Sequence, residues 1–457
     1  TSTRSRGKAQ HLMAAGAALV LSALTPLLLS TSVIAGVTLI PTSVARAQTA
    51  DEYLEAAKKL LGVNGREQEV IDLANRALTI SKSAQAYFYR AFARNDLKDY
   101  QGAVDDNTKA LEINTRSAAI YNNRGVAREG LEDYQGAIDD YTMALAINPL
   151  YADAYYNRGK VTYHLKAYNA SIRDLTKALE VNPQYAKAYS VRGKSKHALS
   201  NYQGAIEDYT KALEVSPQFD HLYLSRAEAR YALAAYPEAI ADYDKALVVN
   251  PSNGGAYRNR GSAKASIGEH KDAIADFTLA IEINPLDATA INNRGFSRFT
   301  IGDHLGAMSD YDRVISINPP DSTNKPEDTV MFFAYHNRAN AKLDLGDCLG
   351  AIADYSKAIY LHPSDDTAYF FRATCKKELG DEAGFIADLE KVIIITTKKI
   401  NENPNDSEAY ISRGESKNSL GDLNGACDDL KIALSLGNQR IASYLQTDSG
   451  SWCRNMQ

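Results

Sequence analysis

Ten arginines recur along this 457-residue chain at a spacing that repeats too often to be incidental. Arg90, Arg124, Arg158, Arg192, Arg226, Arg260 and Arg294 stand 34 residues apart, and Arg338, Arg372 and Arg413 continue the series after insertions of ten and seven residues. An aspartate lies sixteen residues beyond every one of them: Asp106, Asp140, Asp174, Asp208, Asp242, Asp276, Asp310, Asp354, Asp388 and Asp429. Nine of the ten arginines have a further base four residues on, at Arg94, Arg128, Lys196, Arg230, Lys264, Arg298, Lys342, Lys376 and Lys417. A ladder of guanidinium groups can line a groove for an anionic ligand, or its planar forks can be taken up internally by carboxylates. The unbroken co-occurrence of aspartate favours internal pairing.

Other chemistry is sparse. There is no phosphate loop, dinucleotide fingerprint, nucleophile elbow or His-Glu-x-x-His element. The eight histidines are scattered. His164 and His197, near Lys160, Lys187 and Lys194, form a candidate anion patch, and no carboxylate or thiolate joins them at the spacing a metal needs. Neither a cofactor nor a metal site is expected, and an enzyme is disfavoured. The four cysteines all lie late, at 348, 375, 427 and 453. Nearest-neighbour disulfides (Cys348 with Cys375, Cys427 with Cys453) are one arrangement. Three of the four occupy places where a small buried hydrophobe fits, so free buried thiols are the favoured expectation.

The elements that position the ladder follow from the same period. Counted from Ala84, the fourth place of each copy is Tyr except at Ile291, the eighth is Gly or Ala, and the fourteenth is Leu or Ile. A break such as Gly346-Asp347 follows, then a second apolar stretch with small residues at the twentieth and twenty-seventh places, such as Ala137 and Ala144. Apolar and small residues step by three and four on both sides of the break, so each copy is predicted to be two short helices joined by a tight turn. Pro149, Pro183, Pro251, Pro285 and Pro319 mark the end of the second helix. In such an antiparallel hairpin the seventh and twenty-third places face each other, which predicts one Arg-Asp pair per copy with the second base beside it.

The period of 34, the small eighth residue, the Tyr after the turn (Tyr100, Tyr134, Tyr168, Tyr202, Tyr236), the Ala-x3-Tyr of Ala137 and Tyr141 and the closing Pro resemble the tetratricopeptide repeat family. The resemblance implies an all-α fold: an α-solenoid, a right-handed superhelix of ten helical hairpins. Its copies are similar to those of exported bacterial, especially cyanobacterial, chains. The ten repeats are expected over 84–440, with insertions near 320–329 and 396–402. A degenerate hairpin without the Arg and the Asp caps the front over 48–83, and a cap or tail follows over 441–457, where Ile441 to Leu445 suit a short helix and Trp452 either folds back or stays free. The first insertion is polar and reads as a surface loop. The second is close to two helical turns, so it is expected to lengthen a helix in phase.

Residues 1–47 have three bases near the start (Arg4, Arg6, Lys8), no acidic residue, and an uncharged run from Leu12 to about Ile40. They read as a secretory signal cut after the small residues Ala45 and Ala47, before Gln48. A retained membrane anchor is the rival, because the run is long enough to span a bilayer. Either way the remainder is expected to be exported, to a periplasm or equivalent lumen. Without the leader the chain has 47 basic and 56 acidic residues, a net −9 against −5 for the whole, which argues against a nucleic-acid binder.

Family resemblance implies that the first helices build a groove for segments of partner proteins. The places expected to face it are the second, fifth, ninth, twelfth and thirteenth, which vary between copies and pack against nothing within a hairpin. They hold Phe88 and Phe92; Tyr156, Lys160 and Tyr163; Lys187, Lys194 and His197; Glu228 and Tyr231; Arg258; Phe296 and Phe299; Phe333, His336 and Asn340; Phe370 and Lys377. The Lys and Asn pair with which family members clamp a chaperone tail is absent, since the fifth place is never Lys. Exposed aromatics with mixed charge favour peptide over nucleic acid. The leading expectation is an exported, non-enzymatic scaffold for assembly of an envelope or membrane complex. A structural spacer or self-associating module without a groove ligand, and a targeting subunit for a separate enzyme, are the alternatives. Of the 28 tyrosines, 19 fall on repeat-packing places, leaving Tyr156, Tyr163 and Tyr231 as ones the scaffold does not demand.

Overall fold

A computed structural model describes residues 49–317, 329–447 and Cys453. Among them are twenty-three helices and no strand, arranged as antiparallel hairpins stacked in chain order into an all-α solenoid. The leader, the polar insertion and Trp452 lie outside the described residues.

Repeat 2 shows how sequence writes a hairpin. Its first helix, Ala118–Gly130, starts where the Ser117 hydroxyl accepts from the Ile120 N–H. Its second, Tyr134–Ile147, starts where Asp133 accepts from the Gly136 N–H at 3.0 Å. Between them the Asp133 N–H reaches back to the Arg128 carbonyl at 2.9 Å, closing a tight turn that requires Glu132 at a left-handed φ of 61°. The equivalent residue is glycine in repeats 6 to 10 but Lys98, Glu132, Lys166, Ser200 and Ala234 in repeats 1 to 5. The second helix ends at Asn148, whose side chain accepts from the Leu150 N–H, and Pro149 cannot continue it. Small residues let the two helices close on each other. A Cβ added at Gly125 would stand 2.6 Å from the Tyr141 ring, so the eighth place holds Gly or Ala because the twenty-fourth carries a large buried side chain.

The predicted Arg-Asp pair is present in all ten repeats and is a two-bond fork. In repeat 5, Arg226 Nε donates to one Asp242 oxygen at 2.8 Å and Nη2 to the other at 2.6 Å. The Asp242 side chain is 1% exposed and that of Arg226 9%. Arg230, the second base, closes on the same carboxylate at 2.5 Å. Two further contacts complete the arginine. Its remaining Nη1 donates across the stack to the preceding hairpin, Arg226 to the Thr210 hydroxyl at 3.0 Å, and its guanidinium lies 5.8 Å from the centre of the fourth-place ring, Tyr223. The cross-stack bond recurs at every step, from Arg90 on Asn75 to Arg413 on Thr397. Only Ile291 in repeat 7 replaces the ring, and there the aliphatic side chain is fully buried.

The ends and the second insertion follow the same logic. Helices Ala50–Leu60 and Glu67–Ile80 form the front hairpin, and Gln439–Gln446 closes the far end by burying its Ile441 and Leu445 in the cluster of Tyr410, Ile411 and Leu430. The seven-residue insertion lengthens one helix to 21 residues, Glu382–Glu402, in phase, so that Thr397 arrives where Arg413 needs it. The cysteines divide. Cys348 and Cys375 are free and buried, whereas Cys427 and Cys453 form a disulfide with Cα atoms 5.2 Å apart, which corrects the expectation of four free thiols. Cys427 does sit at a small buried place; its partner, Cys453, lies outside the repeat pattern.

Two outcomes follow. Arg226→Ala leaves Asp242 buried with one partner and is expected to cost about 3–5 kcal/mol in denaturant unfolding, against about 0–1 for an exposed pair; a loss below half a kcal/mol excludes a buried pair. Ala234→Gly removes a left-handed side chain and is expected to stabilise by about 0.5–1 kcal/mol, the strain relieved less the extra chain entropy; unchanged or lower stability in the same assay shows that the turn is not strained.

Candidate partner-binding groove

The groove-facing residues stand on first helices whose rotation is fixed by the arginine fork below them. The fourth and eighth places face the second helix, leaving the second, fifth, ninth and twelfth on the opposite side. The structure gives many of these residues partners that the sequence did not reveal.

Lys160 reaches back one repeat to Glu129 at 2.8 Å, and Arg258 forward to Asp287 at 2.9 Å. His336 bonds Asp365 of the next repeat at 2.9 Å, and Asn340 accepts from the Tyr355 hydroxyl at 2.6 Å. Lys377 lies 4.7 Å over the Phe385 ring. Tyr156 packs on Tyr185 with ring centres 5.0 Å apart and joins the cluster of Leu175, Leu179 and Ala188, while Phe88 joins the front core. These residues therefore do not project free of neighbours, as their places suggested. Contacts between neighbouring repeats, invisible within one hairpin, hold Lys160, Tyr156 and Phe88, while the second helix of their own hairpin holds Asn340 and Lys377. Tyr156 in particular is demanded by the stack after all.

Others are more open. Phe296 and Phe333 are 48% and 45% exposed, and Lys187 is exposed. Phe92, Lys194 and Phe370 are half-buried. Tyr163 and Phe299 are half-buried against Tyr168 and His304. Ala45, Ala47 and Gln48 lie outside the described residues.

Three predicted residues come together. His197, Glu228 and Tyr231, from consecutive repeats 4 and 5, line a cavity of about 370 Å³ with Tyr243, Asn259 and Ser262. His197 and Tyr231 are each set edge-on against the post-turn tyrosine of their own repeat, Tyr202 and Tyr236, at 5.0 and 5.2 Å. Loss of water around the Glu228 carboxyl pushes its pKa up although much of the residue is exposed, and the opposing pull of His197, Arg258 and Lys194 is the smaller effect. The arrangement offers a ring, a carboxylate, an imidazole and two neutral polar groups around one recess. It has no nucleophile with an adjacent base, and it suits binding.

The sequence missed a second recess of equal volume at the far end, between repeats 9 and 10 and the last helix, lined by Asp366, Phe370, Ser412, Glu415 and Arg440 among others. Of its lining only Phe370 was predicted: Thr367, Glu408, Ile411 and Glu415 stand at groove-facing places but were not singled out, and Lys399 and Arg440 come from the helix extension and the end cap, outside the repeat. The twenty-fourth-place tyrosines were read as packing alone. Their rings are packing, but the hydroxyls of Tyr141 and Tyr355 reach Glu129 and Asn340 on the groove side.

Tetratricopeptide repeat profiles match residues 118–151, 152–185, 186–219 and 224–288. The chain thus carries tetratricopeptide repeats. No curated protein matches it. Similar solved structures include YrrB, described as a TPR protein with an unusual peptide-binding site, at 22% identity over 41% of this chain and 97% of that one with a TM-score of 0.39. MamA is similar at 23% identity over 36% and 96%, TM-score 0.35. A repeat protein of Cytophaga hutchinsonii is similar at 18% identity over 51% and 96%, TM-score 0.46.

Glu228 supplies a pH test. A carboxyl whose pKa is higher in the folded chain costs stability once pH rises above its unfolded value, near 4.3, and costs nothing well below it. Glu228→Gln should therefore be more stable than the parent at pH 7, with the gain fading as pH falls through the carboxylate range. A pH-independent difference in urea midpoints excludes this account.

Proposed function

We propose that this chain is a non-enzymatic scaffold that holds segments of partner proteins along its first helices, with the recess of repeats 4 to 6 as the principal contact. We further propose that it works outside the cytoplasm, in assembly of an envelope or membrane complex. Proteins built from such repeats generally mediate protein-protein contacts, and the observation that favours this site is the convergence of His197, Glu228 and Tyr231. None of the three takes part in the arginine ladder, yet adjacent repeats bring them to one recess. The basic, acid-free leader supports export, as does the Cys427–Cys453 disulfide, since such bonds persist in oxidising compartments.

The test is recovery of partners from native extract with full-length chain, parent against Glu228→Ala/Tyr231→Ala. A central tyrosine and charge are typical anchors worth about 2 kcal/mol or more each, so retained partner should fall more than tenfold while the melting curve stays close to the parent's. Undiminished recovery by the folded variant overturns the site assignment.

A further inference from the structure

We propose that the recess at the far end of the array binds a lysine or arginine side chain of the protein segment held by the groove; this rests on the groove reading above. The recess is built from departures from the repeat. Asp366 takes the first place, where five other copies have alanine, and it is held from two sides, by Lys399 at 2.5 Å and by the Ser412 hydroxyl at 2.7 Å. Lys399 belongs to the extension of helix Glu382–Glu402, which no other repeat has. One wall is therefore fixed by an ion pair already satisfied.

The opposite side is open to solvent, with the Glu408, Glu415 and Arg440 side chains 68%, 50% and 63% exposed. Glu408 and Glu415 occupy the second and ninth places of repeat 10, both groove-facing, and share one cation, Arg440 of the last helix, at 3.6 and 3.8 Å. Both distances exceed a hydrogen bond. The Asn438 amide takes one oxygen of Glu408 at 2.8 Å, and Asp406 is engaged as the cap of the Ala409 N–H. The recess thus has four carboxylates (Asp366, Asp406, Glu408, Glu415) against two cations, Lys399 and Arg440, an excess of two negative charges. Beside them Phe370, Phe371 and Ile411 supply an apolar wall, the two rings set edge to face at 5.7 Å.

A cation on a long alkyl stem matches both halves. Its methylenes cover the rings and its head completes the half-coordinated glutamates. The recess, about 370 Å³, has room for such a side chain. Consistent with this, loss of water around the Glu415 carboxyl pushes its pKa up; Arg440 only partly offsets that, and Glu408 adds to it.

The test selects random twelve-residue displayed peptides on the full-length chain. The best binder is then synthesised with arginine, with its neutral isostere citrulline, and both are titrated against the parent and Glu408→Gln/Glu415→Gln. Selected peptides should be rich in Lys or Arg beside an apolar residue. Citrulline should weaken binding to the parent roughly tenfold, the loss of one charge-assisted contact, and should make no difference to the double variant, whose melting curve matches the parent's. Equal binding of both peptides by the parent overturns the proposal, as does discrimination that survives in the variant. Arginine amide binding as tightly as the peptide would assign the recess to a free cation and also overturn it. If Glu228→Ala/Tyr231→Ala abolishes peptide binding while citrulline has no effect, only this inference fails and the central groove site stands.

Discussion

The arginine fork at the seventh place is the constraint on which the rest of the structure depends. A guanidinium has five donors in a fixed plane, and here that plane is used in three directions. Nε and Nη2 grip the aspartate of the facing helix, which sets the rotation of both helices in a hairpin. Nη1 grips a hydroxyl or carboxylate of the preceding hairpin, which sets the stacking step. The face lies near the fourth-place tyrosine. A lysine could neutralise the aspartate but could not hold three partners in a defined geometry. The stack is quasi-one-dimensional, so a contact that ties each unit to its predecessor is what converts ten hairpins into one solenoid.

The same contact explains which irregularities the chain tolerates. Ten residues inserted between repeats 7 and 8 do not disturb the fork, because Arg338 still finds Asp354 in its own hairpin and Asp312 in the one before. Seven residues inserted within a helix are close to two turns, so Thr397 stands on the same face as Thr210 and its equivalents do elsewhere.

This division decides what the sequence could reveal. Most of what repeats was legible, namely the hairpins, the turn, the ten pairs and their nine second bases, and so were the in-phase extension and the end helix. A periodic pattern reports contacts that recur. Contacts made once are silent in it, and the candidate sites are made of those. Lys160 with Glu129, Arg258 with Asp287 and His336 with Asp365 each tie a first helix to the neighbouring first helix or to the residue that caps it, through places that vary, so variation alone could not separate a residue that meets a partner from one that meets its neighbour. The Cys427–Cys453 bond was one of the arrangements considered, but with Cys453 outside the repeats the pattern gave no reason to favour it over free thiols. One recurrent contact did escape. The hydroxyl at the twenty-fifth place (Thr108, Thr142, Thr176, Thr210, Thr278) was visible as a run of threonines, but its partner lies in the next repeat and within-hairpin reasoning had no use for it.

The electrostatics of the ladder are lopsided, with a consequence for the surface. Nineteen bases, ten arginines and nine second bases, share ten aspartates. Repeat 3 shows what the second base does. Thr162 replaces it there, and Asp174 is 14% exposed, while the other nine aspartates are 1–6%. Two cations allow a carboxylate to leave water almost completely, where a single guanidinium does not. Nine of the ten aspartates therefore hold two cations, and losing one strands both, whereas losing the arginine leaves a carboxylate that keeps one. Because the ladder consumes positive charge internally and the chain beyond residue 47 is still net −9, acidic residues prevail elsewhere. The group of Lys194, His197 and Arg258 around Glu228 is then a local exception on an acidic molecule, and the carboxylates of repeats 9 and 10 are its opposite. A segment lying along both would meet the two signs in a fixed order, which selects its direction as well as its composition.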